Sequence, residues 1–179
     1  MSYLRFFILL PLLTFDVPSL SAQIEDIYAT LDEANDLAIN GNPRQAIKLY
    51  DEVLSIDKNN VEALYFGGLS HLYLENYTQA VSYFEKAEGL MPDNGDIYLH
   101  KSTALMSLKQ YDKAVIAYTK ALEFFPNNDE LYSKRSIAFM ILNQKEKENN
   151  DAKKALQLNP QNKVALEINE FFKNQPSKK

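Results

Sequence analysis

The chain has 179 residues, 46% of them hydrophobic, a formal net charge of -5 and a sequence pI of about 5.1. That is enough for one domain with a sizeable core, it is too apolar for wholesale disorder, and its acidic balance argues against a nucleic-acid binder, which would carry a basic face. The lack of cysteine excludes disulfides, thiolate zinc sites, a cysteine nucleophile and a lipid-modified N-terminal cysteine, and five glycines leave no Gly-rich phosphate loop.

The first 22 residues differ from the rest. MSYLR supplies one positive side chain, FFILLPLLTF (6–15) is a short apolar run, and DVPSLSA (16–22) supplies small residues. This order is that of a secretory signal peptide over 1–22. The run is too short to cross a bilayer of about 30 Å as a helix, and Pro11 weakens it further. An uncleaved interfacial anchor is the other reading. Export to the periplasm or the exterior is the expectation. Cleavage after Ser21 uses the small pair Ser19 and Ser21, whereas cleavage after Ala22 places bulky Leu20 where a small residue is preferred.

From residue 27 onward the chain repeats. PDN (92–94), PNN (126–128) and PQN (160–162) recur every 34 residues, and KNN (58–60) fills the same slot one period earlier. Four units align without insertion: 27–60, 61–94, 95–128 and 129–162. Counted from the first residue of each unit, position 8 is small (Ala34, Gly68, Ser102, Ser136) and position 20 is Ala46, Ala80, Ala114, then Glu148. Position 24 is Tyr50, Phe84, Tyr118, then Ala152; position 27 is Val53, Ala87, Ala121, Ala155; position 34 is always Asn.

Each unit reads as two helices. Asn at position 34 is a good N-cap for the helix that follows, because its side chain accepts from an otherwise orphan backbone amide. Glu62, Asp96 and Glu130 then lie at position 2, where the helix dipole favours carboxylates. Pro92, Pro126 and Pro160 stop the preceding helix. Leu64, Gly68, His71 and Leu72 form one apolar face of the second unit, and Ala80, Phe84 and Ala87 form its partner. Small residues at positions 8 and 20 allow close approach, and the ring at position 24 fills the space beside them.

The stretch KEKENNDAKKAL (145–156) is highly charged, yet it aligns with YDKAVIAYTKAL (111–122) position by position. It is therefore expected to form a helix across most of 146–158, more loosely packed than its counterparts. Burying an unpaired carboxylate costs roughly several kcal/mol, so Glu148 is expected to reach solvent or find a partner. After the fourth unit, 163–174 reads as one more helix, with Phe171 and Phe172 unable to share one narrow stripe; 175–179 reads as a tail.

The strings YTQAVSYFEKAEGLMPDN and YDKAVIAYTKALEFFPNN, within units of 34 residues, resemble the tetratricopeptide repeat, over about three quarters of the chain. The first unit departs from the pattern at Thr30, Pro43 and Lys58, and the fourth at positions 17, 20 and 24. The resemblance implies an all-α fold: an α-solenoid of about four helix–turn–helix repeats in a right-handed superhelix over 23–162, closed by a C-terminal capping helix.

The resemblance also implies a concave groove lined by the first helix of each unit. Carried over by position, its candidates are Tyr28, Leu31, Asn35 and Ile39 in the first unit and Glu62, Tyr65, Leu69 and Tyr73 in the second. The third gives Asp96, Leu99, Thr103 and Met106, and the fourth Glu130, Ser133, Ile137 and Ile141. Of the Lys, Asn and Arg groove residues with which part of the family holds a C-terminal carboxylate, only Asn35 is matched; Leu31, Phe66, Asp96 and His100 stand at the others. The expected partner is thus another protein or an extended peptide, apolar or basic rather than acidic, with no nucleic acid and no stable membrane span.

No enzymatic role, metal or cofactor is expected. His71 and Glu75 are spaced to meet on one helix face, but two groups do not make a metal site, and His100 has no such partner. The expected function is a non-enzymatic protein-interaction module. The alternative is an assembly subunit that associates through its convex face or its last helix.

Overall fold

The computed structural model describes residues 20–173, and the apolar run of the expected signal peptide lies outside them. Among the described residues there are nine helices and no strand: α1 Leu20–Ile39, α2 Pro43–Ile56, α3 Val61–Tyr73, α4 Tyr77–Leu90, α5 Gly95–Ser107, α6 Tyr111–Phe124, α7 Asp129–Ile141, α8 Lys145–Leu158 and α9 Lys163–Lys173. From α3 on, the odd-numbered helices start at 61, 95, 129 and 163, so the 34-residue period carries through into α9. Residues 20–22, where the candidate cleavage sites fall, belong to the first turn of α1.

Local chemistry sets these boundaries. The side chains of Asn60, Asn94, Asn128 and Asn162 accept from the amides of Ala63, Asp96, Leu131 and Ala165, each at 3.0 Å. These are N-caps on α3, α5, α7 and α9. At Asn162 the cap is part of a network: its Nδ2 also donates to Asp129 at 2.7 Å, which holds that carboxyl below the usual range. Pro43 opens α2 at a position where the missing N–H has no helical partner anyway. Gly41, Glu75, Lys109 and Asn143, all at position 15, sit in the left-handed region with φ of 78°, 60°, 58° and 58°. Each lets the next amide reach back five residues, as from Asn76 to the His71 carbonyl at 2.9 Å and from Gln110 to the Leu105 carbonyl at 2.9 Å. These are Schellman closures, and only one of the four uses glycine.

Packing runs from neighbour to neighbour. Each helix touches the next along the chain, and in addition α1 touches α3, α3 touches α5 and α7 touches α9; no two even-numbered helices meet to that extent. The odd-numbered helices therefore form the inner layer and the even-numbered helices the outer one. Within a pair, position 8 meets position 24: a Cβ on Gly68 would lie 2.8 Å from the Phe84 ring. Each local core is then closed by position 3 of the following unit, where Ala63, Ile97, Leu131 and Ala165 are buried. In this way the core propagates along the stack without one central cluster.

The fourth unit departs from expectation at one residue. Residues 145–158 are helical, but Glu148 is buried, at 2% exposure, and its Oε1 has no hydrogen-bond partner. It neither reaches solvent nor finds an ion pair among the described residues. Position 20 faces the interior in every unit, and the packing of Ala152 and Ala155 against α9 keeps α8 in that register. Burial pushes the Glu148 carboxyl above its ordinary value, against the pull of Lys145. A neutral carboxyl is the form that this site tolerates. Nearby, the Arg135 guanidinium donates to both oxygens of buried Asp151, at 2.7 and 2.8 Å, and to Thr119 Oγ1 at 3.0 Å. It lies 5.7 Å from the ring centres of both Tyr132 and Phe139. Its donors are thus turned toward the protein, which makes it a structural clamp and not an anion site.

Candidate functional site

The inner layer brings the same helical positions of successive units together. On α3, residues 62, 66, 69 and 73 follow one face at steps of three and four. At the N-terminal edge of that face, Asn35 Nδ2 donates to Glu62 Oε1 at 2.9 Å, joining α1 to α3. The Tyr50 hydroxyl donates to Asn35 Oδ1 at 2.7 Å. Burial, and then Glu62, push that hydroxyl up to about 12, so it acts as a donor at all ordinary pH. Asn35 is thereby oriented from below and spent on Glu62.

One unit on, aromatic rings dominate. The Tyr65 ring lies 5.1 Å edge-on from Phe66 and 5.9 Å from His100 on α5. His100 stacks on Phe84 at 6.2 Å. Burial lowers the His100 pKa; Asp96 opposes the shift and Lys134 of α7 adds to it, which leaves a neutral imidazole at neutral pH. Burial raises the Tyr65 hydroxyl, and Asp96 raises it further. No hydrogen bond to the Asp96 carboxylate is found among the described residues. On α7, Lys134 pairs with Glu130 at 3.8 Å, a weak exposed contact.

At the opposite edge the surface turns apolar. Ala38, Ile39 and Pro43 from the first unit and Phe66, Leu69 and Tyr73 from the second line a cleft of about 370 Å³. Ile39 is 82% exposed and Tyr73 75%, and Ile141 of the fourth unit is also exposed.

Of the expected groove residues, Tyr28, Glu62, Tyr73, Asp96 and Glu130 are exposed. Asn35, Tyr65, Leu69, Leu99, Thr103 and Ile137 are half-buried. Leu31 is a correction: at 2% exposure it belongs to the core with Ala34, Ala46 and Tyr50 and offers nothing to a ligand. Ser133 is likewise buried, its hydroxyl donating to the Glu130 carbonyl at 3.0 Å. Position 5 precedes the small residue at position 8 by one turn and leans into the same interface. The Tyr65 ring spans from there to the face, in contact with Phe66 and His100, and short side chains do not.

Phe66, His100 and Lys134, at position 6, are not among the groove candidates carried over above, although Phe66 and His100 stand at two of the places where part of the family holds a carboxylate. Their spacing of four from position 2 and three from position 9 was the available signal. The expected groove also stops at the fourth unit, with α9 as a cap or an assembly surface. Val164 and Phe171 fall at positions 2 and 9 of this further inner-layer helix, and both are exposed. Phe172 packs inward, beside Ala152 and Ala155. His71 and Glu75 are not a pair: Glu75 lies in the turn, and His71 packs edge-on against Tyr83 at 5.0 Å. Among the described residues, no group of three His, Asp or Glu could hold a metal ion.

Comparison with known proteins agrees with this architecture. The family model described as anaphase-promoting complex, cyclosome, subunit 3 matches residues 39–121, from the end of α1 into α6. Among solved structures, MamA residues 41 to the end from Desulfovibrio magneticus RS-1 superposes with a TM-score of 0.76 at 24% identity, over 81% of this chain and 82% of that one. A crystal structure of MamA protein gives 0.78 at 20% identity, over 82% and 80%. The AMB-1 MamA in space group P212121 gives 0.75 at 21%, over 83% and 81%. The chain folds as an α-solenoid of tetratricopeptide repeats. At these identities the superpositions speak for the fold alone. No curated protein matches the chain.

Proposed function

We propose that this solenoid is a non-enzymatic protein-interaction module of an exported compartment, and that it holds a segment of a partner protein on its inner face. The observation that carries the reading is the face itself. Tyr28, Ile39, Tyr73 and Phe171, all on inner-layer helices, are each more than half exposed, and Phe66, Ile141 and Val164 of the same layer are exposed as well. Of the large apolar side chains on the outer helices, only Ile56 of α2 and Ile116 of α6 are more than half exposed among the described residues. Several large side chains left exposed along one layer are the usual mark of a binding site. The matched family model is described as a subunit of a complex, in keeping with an interaction role.

Export rests on the composition of residues 1–22, and no helix of the described residues is long and apolar enough to cross a membrane. Mass determination of the secreted or periplasmic chain tests it. A mature N-terminus at Ala22 or Gln23 agrees with export, and an intact Met1 contradicts it.

Leu166, exposed on α9 away from the Val164–Phe171 row, favours a second reading, assembly through the C-terminal helix. Affinity capture from the exported fraction, followed by mass spectrometry, separates the two. Ile39→Ala with Tyr73→Ala removes only exposed side chains and is expected to abolish capture. Capture that survives this change but vanishes with Leu166→Glu supports the assembly reading.

A further inference from the structure

The inner face has two unlike edges. Glu62, Asp96 and Glu130 line the edge at the N-termini of the inner helices; Ile39, Tyr73 and Ile141 line the edge at their C-termini. On α3 and α7, which carry both, the two rows are eleven residues apart, roughly 16 Å; α1 contributes only Ile39 to the pair, with Tyr28 at its acidic position, and α5 only Asp96, with Ser107 at its apolar position. We infer that the segment held on this face is a basic amphipathic α-helix, lying across the inner helices with its apolar side on the Ile39–Tyr73–Ile141 edge and its lysines or arginines toward Glu62, Asp96 and Glu130. This rests on the reading of the inner face as the binding surface.

Charge complementarity fixes the sign. The acidic row carries three carboxylates, and one of them, Asp96, accepts no hydrogen bond among the described residues. Lys134 lies 3.8 Å from Glu130 and partly offsets that carboxylate, and Glu62 accepts from Asn35, so Asp96 at the middle of the row is the carboxylate left for a cation. A cationic side chain beside Asp96 would also meet the Tyr65 ring, whose hydroxyl lies within the field of that carboxylate.

One distance selects a helix over an extended strand. A helix with its side chains is about 10–12 Å across, and long Lys or Arg chains extend that reach to both rows. A single strand lying flat is narrower and reaches only one.

The test uses the full chain and fluorescently labelled synthetic peptides of about 21 residues, long enough to cross three inner helices. The first peptide is Ala-based, with Leu along one face and Lys along the adjacent edge. The second has the same composition with two central residues changed to Pro, and the third has Glu in place of Lys. Fluorescence anisotropy is expected to show binding of the first alone, weakening with added salt. Glu62→Gln with Asp96→Asn and Glu130→Gln should weaken it about tenfold, as should Ile39→Ala with Tyr73→Ala. Circular dichroism verifies that these variants, changed only at exposed side chains, stay folded. Equal binding of the proline-broken peptide, lost in the same variants, overturns the helical partner but leaves the inner face as the site. Equal binding of the first peptide to wild type and both variants overturns the inner-face reading as well. No binding of the first peptide, or preference for the Glu version, also overturns the inference.

Discussion

Glu148 occupies the place that Ala46, Ala80 and Ala114 hold in the other units, and its buried Oε1 is unsatisfied. Its carboxyl is held above the ordinary glutamate value by burial, against the pull of Lys145. In the unfolded chain the group loses its proton near the ordinary value. Between the two values the folded state binds the proton that the unfolded state has released. Stability therefore falls as pH rises through that window and stays reduced above it. Glu148→Ala restores the residue of the other units and is expected to stabilise the chain by about 1–3 kcal/mol at neutral pH. The gain should shrink once the pH drops below the ordinary glutamate range. Urea denaturation of both proteins at acidic and neutral pH measures this, and an equal gain at both would point to packing instead of charge. Arg135 and Asp151 are the opposite case, a buried carboxylate held by a half-buried guanidinium with good geometry. Asp151→Ala strands the guanidinium and is expected to cost about 3 kcal/mol, whereas Arg135→Met with Asp151→Leu should recover most of it. Thermal melts of the single and double variants give the comparison.

At the scale of the element, the turn within each pair carries a strain that the sequence did not advertise. Lys109 and Glu75 adopt φ near +60° without being glycine. The repeat spacing makes the turn obligatory, because the two helices must reverse within three residues, and the Schellman bonds hold the conformation whatever side chain is present. Lys109→Gly should remove the Cβ penalty and stabilise the chain by about 0.5–1 kcal/mol, while Gly41→Ala, with open space around its Cβ, should cost about 1 kcal/mol through backbone strain alone. Differential scanning calorimetry would show opposite shifts in Tm. By contrast, the caps were legible: an Asn every 34 residues, before an acidic first turn in α3, α5 and α7, has a direct reading, and all four Asn side chains accept the expected amide. The small residues at position 8 were legible for a similar reason. A ring at position 24 leaves no room for a large neighbour, as the Gly68–Phe84 approach demonstrates.

At the scale of the molecule, the stack is quasi-one-dimensional, and each core borrows its lid from the next unit. For the fourth unit that lid is α9, through Ala165 and Ile168. Truncation after Gln161 is expected to expose Ala152 and Ala155 and to lower hydrogen-exchange protection in α7 and α8, leaving α1–α4 almost unchanged. A uniform loss of protection along the whole chain would mean that the stack unfolds as one unit. The sequence by itself determined the number of units, their period, their caps and the chemistry of each core position. These follow from local rules: capping, helix periodicity and side-chain volume. The tertiary structure alone decided which residues of the inner helices face outward. Leu31 and Tyr65 share a position, yet the first is swallowed by its neighbours and the second spans to the face. The structure also decided that Glu148 stays inside and that α9 extends the face through Val164 and Phe171. Burial of that kind is set by contacts with the adjacent units, through the angle at which neighbouring helices meet, and a periodic pattern read along one helix does not contain that angle.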